Sequence, residues 1–358
     1  MNKNKKKKFF NSYFLSKDKK GTYLGNIILA GLIFLIIFFF LFLYKPVSYC
    51  NDGTVYSECS NIKPYFCSNG NLIENASFCG CSNTSVIHGN SCFSNYQFNP
   101  KNIILNYTVD GSSGNISFVV YGKLSDHLSK LPRYMQYTSN SSSVLLDFKI
   151  RSLDNPEQND LLAPLIIAIQ NLTANKDDQA RIAISIVQNI PFGSSNKTLR
   201  FGGISIDYYR YPYEVLYDMQ GVCGEKSELL AFLLRGIGFE SAFIYYAPEN
   251  HEALGIKCPV QKSLNNTGYC FIETTGPSII TDYQTEYVGL GTLKSTPEII
   301  PVPDGDVSFG DKSNSFYEYS DAKILEAIRQ RAEDYGTINF IQHLQYQELK
   351  KKYGLAGF

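Results

Sequence analysis

The chain lacks an excess of charge of either sign. It has 33 lysines and arginines against 33 aspartates and glutamates in 358 residues, with a pI near 6.9. A nucleic-acid partner is therefore not expected, because no general basic field would attract one. The chain also has no tryptophan and only four histidines, which leaves few candidates for a general base. Its 44% of hydrophobic residues is nevertheless enough for at least one sizeable core.

An excess of positive charge is nevertheless found locally, at the N-terminus. The first twenty residues carry eight lysines and one carboxylate, Asp18, and no charged residue lies between Gly21 and Tyr44. Residues 25–44 would span the roughly 30 Å of a bilayer core as a helix. A cleaved signal peptide is the alternative, but its apolar region would be shorter, about 7–15 residues, and would end at a small-x-small site. We predict a cytoplasmic basic tail (1–24), a single transmembrane helix (25–44) in the cell membrane, and residues 45–358 outside the cytoplasm.

The N-terminal cysteines lack the spacing of a zinc site. They include no C-x2-C pair, and no His-x3–5-His pattern lies nearby, so we predict a disulfide-stapled Cys-rich module at 45–95 in an oxidising compartment. Its six cysteines allow fifteen pairings, and the sequence does not choose among them. They are Cys50, Cys59, Cys67, Cys79, Cys81 and Cys92. Weaker support for the same location comes from eight N-x-S/T sequons, which are candidate glycosylation sites. These are at Asn75, Asn83, Asn106, Asn115, Asn140, Asn171, Asn196 and Asn265.

The remaining chain shows no internal repeat, and its patterns change along its length. Residues 96–154 predict a small β unit, because two β-branched and aromatic runs flank a Gly/Ser turn. Residues 155–300 predict a core of two helices, the helix that carries Cys223, and three strands in SAFIYYA, HEALGIKC and GYCFIETT. The second of these helices is expected to be capped by Asp177 or Asp178 and stopped by Pro191. Residues 301–358 predict a linker and C-terminal helices, to which we assign no chemistry.

The stretch DMQGVCGEKSELLAFLLRGIGF places Cys223 between glycines at the start of an apolar helix. A buried structural cysteine is the alternative, since free cysteine often behaves as a small hydrophobe. A helix N-terminus favours the thiolate, and a nucleophilic thiol also needs a base within hydrogen-bond reach. His251 opens a strand downstream, and the other three histidines lie in contexts with no partner pattern. Glu273, on the following strand, is the candidate that would hold the imidazole in position.

A single register of these two strands would place each of two residue pairs on a common face of the sheet. If odd positions oppose odd positions in an antiparallel pair, His251 and Glu273 share one face while Cys258 and Cys270 share the other. Cys258 and Cys270 then form a disulfide, with two free buried thiols as the alternative. Nine cysteines less six and two leave Cys223 alone. An unpaired cysteine in an oxidising compartment suggests a reactive thiol.

Three of these motifs together make residues 155–280 resemble the transglutaminase-like superfamily, which shares its Cys-His-Asp/Glu arrangement with papain-like cysteine proteases. The motifs are GVCGEKSELLAFLLRGIGF, NHEALGIK and FIETTGP, preceded by VQNIPF and YPYEVL. Within the superfamily the chain is similar to membrane-anchored surface proteins of archaeal type. The resemblance implies an α+β fold in which the Cys-bearing helix packs on an antiparallel sheet. It also implies Cys223 as nucleophile, His251 as general base and then acid, and Glu273 as the orienting group.

The chain departs from this pattern in two places. Glu273 stands where many members have aspartate, and the tryptophan that transglutaminases proper use to stabilise the oxyanion is missing. Gln220 or the backbone N–H of Cys223 would supply the oxyanion hole. The sequence predicts no metal and no cofactor, since it has no EF-hand-like loop and NHEALG lacks the second histidine of a zinc peptidase.

We expect acyl transfer on amide or isopeptide bonds through a cysteine thioester, with hydrolysis favoured over cross-linking. The substrate would be a peptide, a protein or a cell-envelope polymer. The alternative is a catalytically inactive envelope-binding or adhesion module on the same fold.

Overall fold

The computed structural model describes residues 28–35, 38, 47–133, 145–201, 204–283, 286–287, 291–311 and 316–355. Residues Met1–Ser48 form one compact unit and Tyr49–Phe358 a second. In the first unit, residues 28–35 and 38 are helical. The basic tail and the rest of the predicted transmembrane helix lie outside the described residues. Among the residues that are described, no helix is long and apolar enough to cross a membrane.

The second unit is a mixed α+β fold. Its strands are β1 (Tyr65–Ser68), β2 (Asn71–Glu74), β3 (Ser85–His88), β4 (Ser91–Ser94), β5 (Pro100–Val109), β6 (Ser112–Tyr121), β7 (Thr198–Phe201), β8 (Ile204–Asp207), β9 (Ser241–Tyr246), β10 (His251–Lys257), β11 (Tyr269–Ile272), β12 (Glu286–Tyr287), β13 (Gly291–Thr292) and β14 (Glu298–Val302). Its helices are α1 (Ala76–Cys79), α2 (Gly122–Ser129), α3 (Leu145–Leu153), α4 (Pro156–Leu172), α5 (Lys176–Asn189), α6 (Pro212–Asp218), α7 (Cys223–Ile237), α8 (Glu318–Tyr335) and α9 (Phe340–Tyr353).

The Cys-rich segment consists of two short hairpins, β1–β2 and β3–β4, with α1 between them. Three disulfides staple it, in the pairing Cys50–Cys67, Cys59–Cys79 and Cys81–Cys92. It is attached to α4 through Asn171, whose Oδ1 accepts from Leu72 N at 3.0 Å and whose Nδ2 donates to Leu72 O at 3.0 Å. The disulfides supply order that such short strands would not reach by core packing alone.

The segment 96–154 contains the expected hairpin but also helices. Strands β5 and β6 pair along ten residues each, and they turn at Asp110 and Gly111, both of which have positive φ (48° and 75°). Their inward-facing side chains are buried against α5, and they include Leu105, Phe118 and Val120. Helices α2 and α3 follow the hairpin, with residues 134–144 outside the description.

Helix α5 brings a buried face to the centre of the molecule. The predicted caps Asp177 and Asp178 are wrong, because the N-cap is Asn175, whose side chain accepts from the backbone N–H of Asp177 at 3.0 Å. Both aspartates lie in the first turn instead, where a carboxylate interacts favourably with the helix dipole. The helix ends at Asn189, and Pro191 follows the C-cap residue, as expected from the sequence.

Helix α7 lies at the middle of the core and begins at Cys223. Leu229, Leu230, Leu233 and Leu234 are fully buried, and the left-handed Gly238 (φ 109°) ends the helix. The neighbouring Gly236 does not end it. This residue lies within the helix at a close approach to α4, where a Cβ would come within 2.2 Å of Ile166 Cδ1.

An antiparallel sheet in the order β11-β10-β9-β14 packs against α7. In β10, Leu254 is opposite Ile272 of β11, so that odd positions oppose odd positions. This parity puts His251 and Glu273 on one face, at the same end of the strand pair. At the other end a disulfide joins Cys258 and Cys270.

Helices α8 and α9 pack on the segment that follows β11. Ile279 of that segment is buried in a cluster with Ala322, Leu325, Ile328, Tyr346 and Leu349. Arg329 Nη1 donates to Asp282 Oδ1 at 2.7 Å, and Arg181 Nε donates to Glu318 Oε1 at 2.5 Å. The first ion pair links α8 to the segment that follows β11, and the second links α8 to α5.

Candidate active site

The thiol predicted as the nucleophile lies at the N-terminus of α7. Cys223 is half-buried, and it is the one cysteine of the described chain that is outside a disulfide. Glu225 closes the turn before the helix by accepting from Val222 N at 2.9 Å, and Arg210 Nη1 holds Glu225 Oε2 at 3.0 Å. The first amide groups of a helix have no acceptor within the helix, and they favour an anion at this end. The sulfur therefore lies at the positive end of the helix dipole.

The imidazole of His251 lies between the thiol and a carboxylate. His251 is the first residue of β10, is 1% exposed, and has Nε2 at 2.9 Å from Glu273 Oε2. Cys223 is close enough to the ring to raise the pKa of the imidazole. The imidazole therefore interacts with both the thiol and the carboxylate, and it is hydrogen-bonded to the carboxylate.

The charge state of His251 follows from these two partners. Burial lowers the pKa of the imidazole, but the hydrogen bonds to Cys223 and Glu273, together with their negative charges, raise that pKa to about 9. The ring is then an imidazolium at neutral pH. The sulfur of Cys223 therefore lies close to a cation at neutral pH.

Glu273 is held in place by groups close to it in sequence. Its Oε1 accepts from Thr274 N at 2.9 Å, from Thr275 N at 2.8 Å and from Thr275 Oγ1 at 2.7 Å. Burial raises the pKa of the carboxyl group, but the hydrogen bond and charge of His251 and the hydrogen bonds from Thr275 outweigh it and hold that pKa below its usual value. Glu273 is thus a fixed anion that orients the imidazole.

Two further residues join the catalytic elements, and the sequence argument did not identify them. Thr274 is fully buried, and its Oγ1 donates to Cys223 O at 3.3 Å and lies 3.2 Å from Ser227 Oγ. Gln188 of α5 donates through Nε2 to Glu273 O at 2.9 Å and to Ser278 O at 3.1 Å. The signal for Thr274 was present as the Thr-Thr pair after Glu273. Gln188 could not be found, because its partners lie 85 and 90 residues away.

The oxyanion candidate Gln220 lies in the turn between α6 and α7. Its side-chain amide packs against Gly193, where a Cβ would come within 1.8 Å of Gln220 Nε2. Gly193 N also donates to Gly221 O at 3.1 Å, which fastens this turn to the segment after α5. The amide is therefore held three residues before the nucleophile.

Behind the nucleophile, the helix carries a buried lysine. Lys226 is fully buried, and its Nζ donates to Ile190 O at 2.5 Å. Burial lowers the pKa of this ammonium group to about 8, although the charge of Glu273 acts in the opposite direction. The lysine connects the C-terminal end of α5 to the first turn of α7, one helical turn from Cys223.

A second buried charge cluster lies on the other side of that turn. Lys149 Nζ is 2.9 Å from Glu228 Oε1, 2.9 Å from Glu252 Oε1 and 2.7 Å from Tyr209 OH. Burial lowers the pKa of Lys149, but the charges of the two glutamates outweigh this and raise it. Gly224 borders the cluster, since a Cβ there would come within 2.7 Å of Tyr209 OH. The cluster supports α7 and His251's strand without contacting the thiol.

The candidate glycosylation asparagines differ in their exposure. Five candidate glycosylation asparagines are exposed: Asn83, Asn106, Asn115, Asn196 and Asn265. Asn75 and Asn171 are partly buried, and the amide of Asn171 is engaged by Leu72 as described above. Asn140 lies outside the described residues. Within the described ranges, no group of three or more histidine, cysteine, aspartate or glutamate side chains could hold a metal ion.

No family model and no curated protein matches the chain. Solved structures of Legionella pneumophila LapG are similar to parts of it. One is 14% identical, covers 37% of this chain and 75% of its own, and has a TM-score of 0.23. A calcium-bound LapG is 16% identical, covers 48% of this chain and 98% of its own, and has a TM-score of 0.22. An EGTA-treated LapG is 12% identical, covers 51% of this chain and 97% of its own, and has a TM-score of 0.25. This likeness is loose.

Proposed function

We propose that the chain is a cysteine enzyme of the transglutaminase-like type that cleaves amide or isopeptide bonds through a thioester. The observation that carries the proposal is the alignment of Cys223, His251 and Glu273 at the N-terminus of α7. A structural cysteine would need none of these partners. Here a buried imidazole interacts with the thiol, and a buried carboxylate is hydrogen-bonded to that imidazole.

The proposed reaction has two steps. Cys223 Sγ attacks the carbonyl carbon, His251 gives its proton to the leaving amine, and the C–N bond breaks to leave a thioester. Water then attacks the thioester, His251 takes a proton from it, and the C–S bond breaks to release the acid and the thiolate. Glu273 keeps the ring in the same orientation in both steps. The backbone N–H of Cys223 and the amide of Gln220 would stabilise the oxyanion.

Hydrolysis is proposed over cross-linking for two reasons. Water needs no second binding pocket, whereas an acceptor amine does. The tryptophan that the resemblance would require for cross-linking is missing from the whole sequence. The reaction calls for no cofactor.

The location and partners of the enzyme are proposals from the sequence. The basic tail and the apolar run at 25–44 support a single membrane anchor, with the enzyme domain outside the cytoplasm. Four disulfides support an oxidising compartment for that domain. The substrate would then be a peptide, a protein or a cell-envelope polymer at the cell surface.

The proposal is tested by incubating the protein with an amine-tagged probe and a peptide mixture, for the wild type and for Cys223→Ala. New peptide termini that depend on Cys223 would establish the hydrolase, and incorporation of the probe would establish a transferase instead. Silence in both assays, with a thiol that alkylates no faster than free cysteine, would reject the enzyme in favour of a binding module on the same fold.

A further inference from the structure

A short extended segment runs beside the turn that leads to the nucleophile. Gly221 N donates to Pro191 O at 3.2 Å, and Gly193 N donates to Gly221 O at 3.1 Å. Phe192 is therefore bridged in parallel to Gly221, two residues before Cys223. In this pattern the N–H and C=O of Phe192 point away from Gly221.

The outer edge of this segment is open. Across the ranges that the structure describes, neither the N–H nor the C=O of Phe192 has a hydrogen-bond partner. Its side chain is 59% exposed. An extended backbone with an unpaired N–H and C=O is the feature to which another extended peptide adds by strand pairing.

The segment is fixed at both ends, so its edge is preorganised. Lys226 Nζ holds Ile190 O at 2.5 Å, and Arg210 Nη1 donates to Gly193 O at 3.2 Å. Gly193 also packs against Gln220, which leaves no room for a side chain. A ligand that pairs with Phe192 would therefore meet little ordering cost.

The segment itself carries no charged side chain. In residues 188–196, QNIPFGSSN, Phe192 is the large apolar side chain that is exposed, whereas Ile190 is buried. A phenylalanine ring contributes to binding by removing apolar surface from water. The complementary group is an uncharged, apolar side chain.

From this geometry we infer that Phe192 docks the substrate, and that the substrate is an extended peptide. Its backbone would pair with the N–H and C=O of Phe192, one apolar side chain would cover the ring, and the pairing would bring a nearby carbonyl to Cys223. The inference rests on the proposed function and narrows it, since it favours a peptide over a cell-envelope polymer.

The test compares two kinds of reagent on the full-length chain. Iodoacetamide reports the nucleophile without using the edge. Tetrapeptide acyloxymethyl ketones report the edge as well. They are used in pairs that differ only in having leucine or aspartate at one position, with one pair for each of three positions before the electrophile. A third set carries N-methyl groups on the peptide nitrogens. The proteins are the wild type, Phe192→Ala and Phe340→Ala, the last as a control because Phe340 is 75% exposed on α9.

We expect the wild type and Phe340→Ala to prefer leucine over aspartate at one position by about tenfold, which is the scale for covering part of an aromatic ring. Phe192→Ala should lose that preference while its iodoacetamide rate is unchanged. One N-methyl group should slow labelling of all three proteins. An unchanged leucine preference in Phe192→Ala would overturn the docking role and leave the enzyme standing. Failure of both reagents to label Cys223 in the folded wild type would overturn the proposed function itself.

Discussion

Replacing Glu273 by glutamine is the sharpest test of the ion pair at the active site. The substitution keeps the size of the side chain and an oxygen that can accept from His251, but it removes the negative charge. The pKa of His251 lies at about 9 against an ordinary 6.5. This difference corresponds to roughly 3 kcal/mol in favour of the imidazolium. Since Cys223 and Glu273 both contribute to it, we expect Glu273→Gln to lower the pKa of His251 by about one unit.

The measurement is a pH titration of the histidine ring protons by NMR. With four histidines in the chain, the signal of His251 is identified by its loss in His251→Asn. Glu249→Gln serves as a matched control, because Glu249 lies two residues away but binds Ser295 Oγ at 2.5 Å instead. The control should leave the pKa of His251 unchanged. The rate of iodoacetamide labelling, followed across the same pH range, should shift with the pKa in Glu273→Gln alone.

Stability provides a second readout with a defined sign. The folded pKa of His251 is above its unfolded value, so the native chain binds an additional proton between pH 6.5 and about 9. The contribution of His251 to the free energy of unfolding is complete below pH 6.5 and is lost as the pH rises through 9. Glu273→Gln should reduce that loss. A wild-type His251 that titrates near 6.5, or a pKa that ignores the substitution, would refute the ion pair.

The remaining predictions concern the scaffold of the site. Cys258→Ala with Cys270→Ala opens a loop with a sequence separation of 12, so urea unfolding should show a loss of about 3 kcal/mol if chain entropy dominates. Gly193→Ala should displace Gln220 and reduce turnover about 100-fold with an unchanged iodoacetamide rate, if Gln220 serves the oxyanion; equal turnover would remove that role. Lys226 has a folded pKa of about 8, below its ordinary 10.5, so the free energy of unfolding should rise with pH between these values. Lys226→Met should abolish that rise in urea titrations, and a rise that persists would contradict it.

Local signals in the sequence predicted part of this arrangement. The start of α7 at Cys223 followed from the glycines and the apolar run after it. The common face of His251 and Glu273 followed from strand parity, because side chains alternate with a period of two. Asn175 was missed as the cap of α5, because two aspartates with the same chemistry lay just behind it.

What could not be predicted depends on contacts between distant segments. No pattern in the sequence distinguishes Lys226 from an exposed helical lysine, and its structural role comes from its burial against Ile190. The contact of Phe192 with Gly221 joins the end of one helix to the approach of another. Hydrophobic periodicity carries no information on such pairs, since each involves a single residue in an irregular segment.

The C-terminal helices are synthesised last, and this affects when the active site can be completed. Asp282 and Ile279 follow Glu273 closely, and their partners are in α8 and α9. Cys223, His251 and Glu273 therefore leave the ribosome before the helices that pack on the carboxylate's segment. A nascent chain would carry all three reactive groups without this support, and the active site would be completed only after α8 has been made.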